Sequence, residues 1–382
     1  MAKKSVIGLS LLALVACQRA EPPQAKPESP PAAAPRLDRD STPVGSYAPI
    51  VERVAPSVVT IRSARRLRAP RQFPFFNDPR LGELFGGLFG APGGREQIRT
   101  GLGSGVIVRA DGYVLTNHHV VDGADEITIE LLNRRSFSAK IIGSDPPSDL
   151  AVLKVEASDM PALALGNSDE TRVGDIVLAL GNPLGIGQTV TAGIISAKSR
   201  STGLSDGSFE DFLQTDAPIN QGNSGGALVN SAGLLVGINS QILSPTGVNI
   251  GIGFAVPVNM ARNVMDQLIS NGKVERGHLG IGIQPVTPEI AASIGLKETG
   301  GVIINEVRPN SAASRAGMRR GDVVVAFNGA PVVDGNALRN AIAGSKPGTA
   351  VKLTIRRDGT EQTIEAKLDE YRAESAPARR ER

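Results

Sequence analysis

From residue 44 to about 257 the chain is a succession of short β-branched and aliphatic runs, each closed off by Gly, Asn, Asp or Pro. Such runs lie at 57–61, 105–108, 113–116, 126–131, 150–155, 175–180, 189–196, 226–229 and 234–239, with no long helical pattern between them. β-Branched residues pack well on a pleated surface, and the intervening residues supply turn geometry. Repeated at this spacing, they predict an all-β sandwich or barrel and exclude a run of βαβ units. The 44 glycines and 26 prolines, with no tryptophan, agree with a turn-rich chain.

A helical period follows, with Met260, Val264, Leu268 and Ile269 on one face and Gly272 as its stop. It is read as a linker helix over 261–276, between a β-rich domain at 44–260 and a smaller α+β module at 277–369. That module has strand patterns at 279–284, 301–307, 322–327 and 350–356 and a helical stretch at 336–343. Residues 370–382 form a charged tail. The segment 66–99 is rich in Gly and Pro yet carries phenylalanines, Phe73, Phe75 and Phe76 among them. Such a loop is a contact surface or partly disordered.

The N-terminus reads as a targeting segment. Lys3 and Lys4 precede an apolar run, Val6 to Ala16, which is too short to span a bilayer core of roughly 30 Å. Leu14-Val15-Ala16-Cys17 resembles the lipobox of bacterial lipoproteins, in which the cysteine is lipidated and becomes the mature N-terminus. An ordinary cleaved signal at 1–17 is the alternative. Residues 18–43, dominated by Pro and Ala, cannot build a core and read as an extended tether.

Composition removes several function classes. A formal charge of +3 without a basic tract gives no footprint for nucleic acid. Cys17 is the sole cysteine, so no intrachain disulfide can form. With His118, His119 and His278 as the only histidines, a structural zinc site is not expected. No G-x-x-x-x-G-K-[ST] is present to couple hydrolysis to ATP, and no cofactor or metal is expected. Gly101–Gly105 lacks the context of a dinucleotide fingerprint and is read as a barrel turn.

Hydrolysis by a serine nucleophile needs a base for the hydroxyl proton, an acid to orient that base, and N–H donors at the developing oxyanion. Gly222-Asn223-Ser224-Gly225-Gly226 can supply nucleophile and donors, although serine in a Gly-rich turn is often plain punctuation. The pentapeptide also fits the α/β-hydrolase elbow, but that fold needs its histidine after the serine. Only His278 qualifies, beyond a helix in the other module. The order His…Asp…Ser fits instead: a His-His pair at 118–119, Asp149 before an apolar run, then Ser224. Each fragment alone could be a turn; their order within one β-rich domain is harder to dismiss.

The fragments TNHHVV, SDLAVLKV, GNPLGIGQTVTAGIISA, QTDAPINQGNSGGALVN and GIGFAVP resemble the HtrA (Deg) family of bacterial serine proteases, from about Tyr47 to Leu368. The resemblance implies a mainly β chain, with a chymotrypsin-like double β-barrel followed by one α+β PDZ domain. The family's T-N-x-H-V pattern makes His119 the base and His118 a bystander. By the same matching Asp149 orients His119, Ser224 attacks, and Gly222, Asn223 and Ser224 form the oxyanion-hole loop. Ile242, Leu243 and Ile250 would wall an apolar pocket for the residue before the cut, favouring Val or Ala; the alternative is that they are core residues. No Ile-Val-Gly-Gly segment follows a basic site, so activation by a newly freed N-terminus is not expected.

Arg276-Gly277-His278-Leu279-Gly280-Ile281 resembles the carboxylate-binding loop of the family's PDZ domains. Leu279, Gly280 and Ile281 would capture a C-terminal carboxylate through main-chain N–H groups, with Ile281 lining the terminal pocket and His278 a loop residue. The resemblance further implies a periplasmic, ATP-independent endopeptidase tethered to a membrane by lipid on Cys17. Its partners would be unfolded or misfolded proteins and C-terminal peptides, and its assembly a homotrimer or larger, through Tyr47 and the phenylalanine loop. A regulated, site-specific protease triggered by PDZ ligation is the second reading; a non-enzymatic module retaining the fold is the third.

Overall fold

The computed structural model describes residues 45–67, 97–182, 187–202, 209–220, 222–242, 250–293 and 300–372. Cys17, the tether, Phe73, Phe75, Phe76, Leu243 and the tail beyond 372 lie outside them. Two closed antiparallel barrels come first. Strands β1 (Val58–Leu67), β2 (Gln97–Arg109), β3 (Tyr113–Thr116), β4 (Glu126–Glu130), β5 (Ser136–Asp145) and β6 (Leu150–Val155) close in the order β1-β2-β3-β6-β5-β4. The second barrel takes β7 (Ile176–Gly181), β8 (Thr189–Arg200), β9 (Phe212–Thr215), β10 (Ala227–Asn230), β11 (Leu235–Ile242) and β12 (Gly253–Pro257), in the order β10-β11-β12-β9-β8-β7.

The two-residue period of a strand sorts the apolar side chains into separate cores. On β2, Ile107 joins Ile61, Val114, Ile129 and Leu153 inside the first barrel. Its neighbours Val106 and Val108 instead meet Leu178, Leu180, Val229 and Ile238 of the second. On β7, Val177 and Ala179 fill the second barrel, while Leu178 and Leu180 face the first. Each fully buried aliphatic side chain contributes about 1.5–3 kcal/mol, so this shared face locks the barrels together. Whatever lies along their seam is therefore held rigidly.

Helix α3 (Val258–Asn271; α1 is Ala48–Val54 and α2 His118–Val121) lays Val258, Ala261, Val264, Met265 and Leu268 on the same seam. It starts directly after Pro257, ahead of the 261 assigned to the linker, and it stops at Gly272 (φ +71°), the stop read from the sequence and short of the linker's end at 276. One sequence reading is overturned: 101–105 is not a turn but the middle of β2. Its glycines answer to close packing, since a Cβ on Gly103 would lie 2.7 Å from Val120 Cγ1 and one on Gly105 2.8 Å from Ile61 Cδ1.

After β13 (Gly277–His278), the C-terminal module is a sheet in the order β14 (Ile281–Pro285), β15 (Val302–Val307), β16 (Val323–Phe327), β18 (Ala350–Arg357), β19 (Thr360–Lys367), with β17 (Ala330–Pro331) paired to β16; its helices are α4 (Pro288–Ser293), α5 (Ala312–Arg315) and α6 (Gly335–Gly344). Asp334 caps α6 by accepting from Ala337 N at 2.8 Å, and Leu338 and Ile342 bury one turn apart. β14 is an outer strand, and Gly335 lets α6 approach it: a Cβ there would sit 3.2 Å from Ile283 Cδ1. An unpaired edge beside a helix is the geometry that accepts a further strand.

Candidate active site

The seam between the barrels brings together one histidine, one aspartate and two serines. Asp149 ends a 3-10 turn, Pro146–Ser148, in a left-handed conformation (φ 54°, ψ 41°). Its main-chain oxygen accepts from Asn117 Nδ2 at 2.9 Å and His118 N at 3.1 Å, which ties the start of α2 to the turn. Its carboxylate accepts from His119 N at 3.1 Å and from Ser240 Oγ at 3.0 Å, and Oδ2 lies 2.8 Å from His119 Nδ1. A carboxylate so placed holds the proton on Nδ1 and leaves Nε2 as acceptor. His118 turns elsewhere, its Nε2 lying 3.7 Å from Asp122 Oδ1.

Ser224 arrives from the second barrel on a turn closed by Asn223 N donating to Asn220 O at 3.0 Å, with Gly222 at φ +100°. A positive φ at this position favours glycine. Gly225 is equally constrained, since a Cβ there would lie 2.1 Å from Ser104 O. Ser104, fully buried, clamps the turn: its N donates to Ser224 O at 2.9 Å, its Oγ donates to Gly222 O at 2.6 Å, and that Oγ accepts from Asn182 N at 2.8 Å. The N–H groups of Gly222 and Ser224 have no acceptor among the described residues, whereas that of Asn223 is used in the turn. Two free donors beside one hydroxyl can receive an oxyanion.

Ser224 Oγ itself donates to Ser240 O at 2.9 Å rather than to His119. Both His119 and Ser224 line one cleft of about 380 Å³. Sequence reasoning missed Ser104 and Ser240. The first carried a faint signal, glycines packed around a serine in a strand; the second carried none.

The turn that presents Asp149 is anchored from the far end of the linker. Asp145 accepts from Ser148 N at 3.2 Å and from Ser148 Oγ, and it receives both terminal nitrogens of Arg276, at 2.7 and 2.5 Å. The two side chains are 9% and 6% exposed, and the guanidinium lies 4.8 Å from the Phe209 ring centroid. Breaking a buried pair by removing one partner costs about 3–5 kcal/mol, because the other charge stays desolvated. Arg276→Ala is therefore expected to lower the thermal midpoint by several degrees. Asp145→Leu combined with Arg276→Met is expected to lose less, as read from calorimetric melts of the three proteins.

In the C-terminal module, Gly280 has φ +77°, and a Cβ on it would lie 2.3 Å from Ser311 Cβ. The carbonyls of Leu279 and Gly280 accept from Ala313 N and Arg308 N, both at 2.9 Å. Their own N–H groups have no acceptor among the described residues, and Ile281 opens the edge strand. His278 pairs with Asp369 and lies 5.7 Å from the Tyr371 ring, away from the Asp149–His119 pair. Of the three pocket candidates, Ile242 ends β11, Ile250 is 58% exposed, and Leu243 is outside the described residues.

Comparison with known proteins places this geometry in context. Residues 103–238 match the Trypsin-like peptidase domain and residues 277–368 the PDZ domain. The chain is 44% identical over 331 residues to the "Probable periplasmic serine protease do/HhoA-like" of Haemophilus influenzae, covering 85% of this chain and 71% of that one. It is 44% identical over 346 residues to the "Periplasmic pH-dependent serine endoprotease DegQ" of Escherichia coli K12, covering 89% and 73%. Among solved structures, the HtrA-type protease AlgW with a tripeptide superposes with a TM-score of 0.71 at 40% identity, over 86% of this chain and 98% of the other.

Proposed function

This chain belongs to the HtrA (Deg) family of serine endoproteases, and on that premise we propose that Ser224, His119 and Asp149 are its catalytic triad. The observation carrying this reading is the bond from His119 Nδ1 to an Asp149 carboxylate that also accepts from Ser240. Ser224 Oγ attacks the scissile carbonyl as His119 Nε2 takes its proton. The oxyanion sits against the N–H groups of Gly222 and Ser224, with Asn223 shaping the loop rather than donating. His119 then gives the proton to the leaving amine, and water clears the acyl-enzyme by the reverse sequence. Leu279, Gly280 and Ile281 capture the C-terminal carboxylate of a peptide that adds to β14.

The substrates are unfolded or misfolded proteins of the periplasm, where extended segments are available to enter the seam. Ile242, Leu243 and Ile250 wall the pocket for an aliphatic residue before the cut. Lipid on Cys17 tethers the enzyme to a membrane, and three copies assemble through the protease domain. The test is direct: the mature chain is expected to react with a fluorophosphonate probe at Ser224 and to digest unfolded casein without ATP. A chain that neither labels nor cleaves would sink the reading.

One observation favours a second reading, a protease switched by its PDZ ligand. Asn336 and Asn340, on the helix beside the peptide groove, both donate to Glu210 O, at 2.8 and 2.7 Å. The Glu210 carboxylate accepts from Thr202 Oγ1 at 2.9 Å, which accepts from Gln241 at 3.5 Å, next to Ser240. A dose-dependent rise in cleavage of a small peptide on adding a free C-terminal peptide would select this reading; no response selects the first.

A further inference from the structure

The cleft that holds His119 and Ser224 has a second half that the triad does not use. We propose that this half binds the residues following the cut and that Arg65 selects an acidic side chain there; the inference rests on the catalytic reading of Ser224. The cleft is lined by Ser63 and Arg65 of β1, by Leu102 of β2, and by His119, Asp122 and Ala124 in and after α2, together with Ser224. None of the described residues lining it comes from β11, the strand whose Ser240 O accepts from Ser224 Oγ. The acyl part of a substrate stays on Ser224, with its oxygen at the Gly222 and Ser224 N–H groups. The leaving amine takes its proton from His119 and so departs on the His119 side. That side is this cleft.

The charge in the cleft follows from strand alternation. On β1, Arg62 and Arg66 share one face and are neutralised, by Glu130 at 3.4 Å and Glu126 at 2.7 Å. Ile61, Ser63 and Arg65 share the other face, which leads from the buried barrel core out into the cleft. Arg65 is exposed, and its side chain has no ion pair or hydrogen bond among the described residues. Its guanidinium lies over Gly123, where φ is +65° and a Cβ would come within 2.9 Å of Cζ. The one acidic side chain lining the cleft, Asp122, leans to His118 Nε2 at 3.7 Å. Among the described residues Arg65 is thus a cation with its donors open, seated beside the path of the leaving peptide, and a carboxylate is its natural two-pronged partner.

The test is cleavage of a peptide library randomised at the two positions after the cut, read by mass spectrometry for wild type, Arg65→Gln and Arg65→Glu. An exposed ion pair supports roughly a two- to fivefold preference at most. Wild type is expected to favour Asp or Glu over Lys or Arg by about that factor at one of the two positions, less so in high salt. Arg65→Gln should be indifferent and Arg65→Glu reversed, with the preference before the cut unchanged in all three. Identical profiles after the cut, in proteins that all label with fluorophosphonate, would overturn the role of Arg65. A wild type that does not label at Ser224 would overturn the catalytic reading itself, and this inference with it.

Discussion

Ser224→Ala is expected to reduce casein hydrolysis by about five orders of magnitude, to the level that bound water and the oxyanion donors sustain alone. The side chain lost is small. Among the described residues its Oγ makes one bond, to Ser240 O, so the folded state loses little and the melting temperature should stay within about a degree or two. The N–H groups of Gly222 and Ser224 remain in place, because Ser104 holds the turn through main-chain and Gly222 contacts that alanine does not touch. His119→Ala should cost a similar factor and add little in combination, since nucleophile and base act as one unit. His118→Ala is the control. Its ring points toward Asp122, so activity should survive. Substantial cleavage by Ser224→Ala, or loss of activity in a folded His118→Ala, would undo the assignment. The readouts are initial rates on casein and labelling by fluorophosphonate.

The second large effect belongs to Asp149→Asn, expected to lower kcat by about four orders of magnitude while the fold persists. Asn tolerates the left-handed conformation (φ 54°) at least as well as Asp, so the turn after Pro146–Ser148 should form. What changes is the proton on the imidazole. Asp149 presents acceptors to His119 N, His119 Nδ1 and Ser240 Oγ. Three donors converge on one group, and an amide has only one oxygen for them. Its NH2 must then face some of these groups, and next to Nδ1 it favours the tautomer with the proton on Nε2. A protonated Nε2 cannot take the proton of Ser224. Unchanged thermal stability with near-normal rates would show that the carboxylate is dispensable and that another group orients the ring.

Legibility in the sequence tracked how local each feature's cause was. Strands such as Tyr113–Thr116 and Leu150–Val155 were visible because their own residues are apolar, β-branched and bounded by turn formers. β19, Thr360–Lys367, was not: it is mostly exposed, and Thr, Gln and Glu fill positions that face water. The glycines of β2 at 101–105 punctuate turns when read locally, whereas in the fold they make room for Ile61 of β1 and Val120 of α2. The linker helix is legible from its apolar face and from Gly272 as its stop, whereas its start directly after Pro257 is not.

The same division runs through the candidate site. The chain's own order of residues determined that one histidine pair, one aspartate and one serine in a Gly-rich turn would be available to the chemistry, and that a β-rich body followed by a smaller module would carry them. Those features are written in residue type and spacing, which folding does not alter. Only the tertiary structure decided which groups meet. Ser104 and Ser240 are ordinary serines in sequence. They hold Gly222 and Asp149 because the barrels share one apolar face, and that face is assembled from strands far apart along the chain. Arg65 differs from Arg62 and Arg66 only in strand parity and in what lies opposite. Long-range packing sets such contacts, and no local pattern records them.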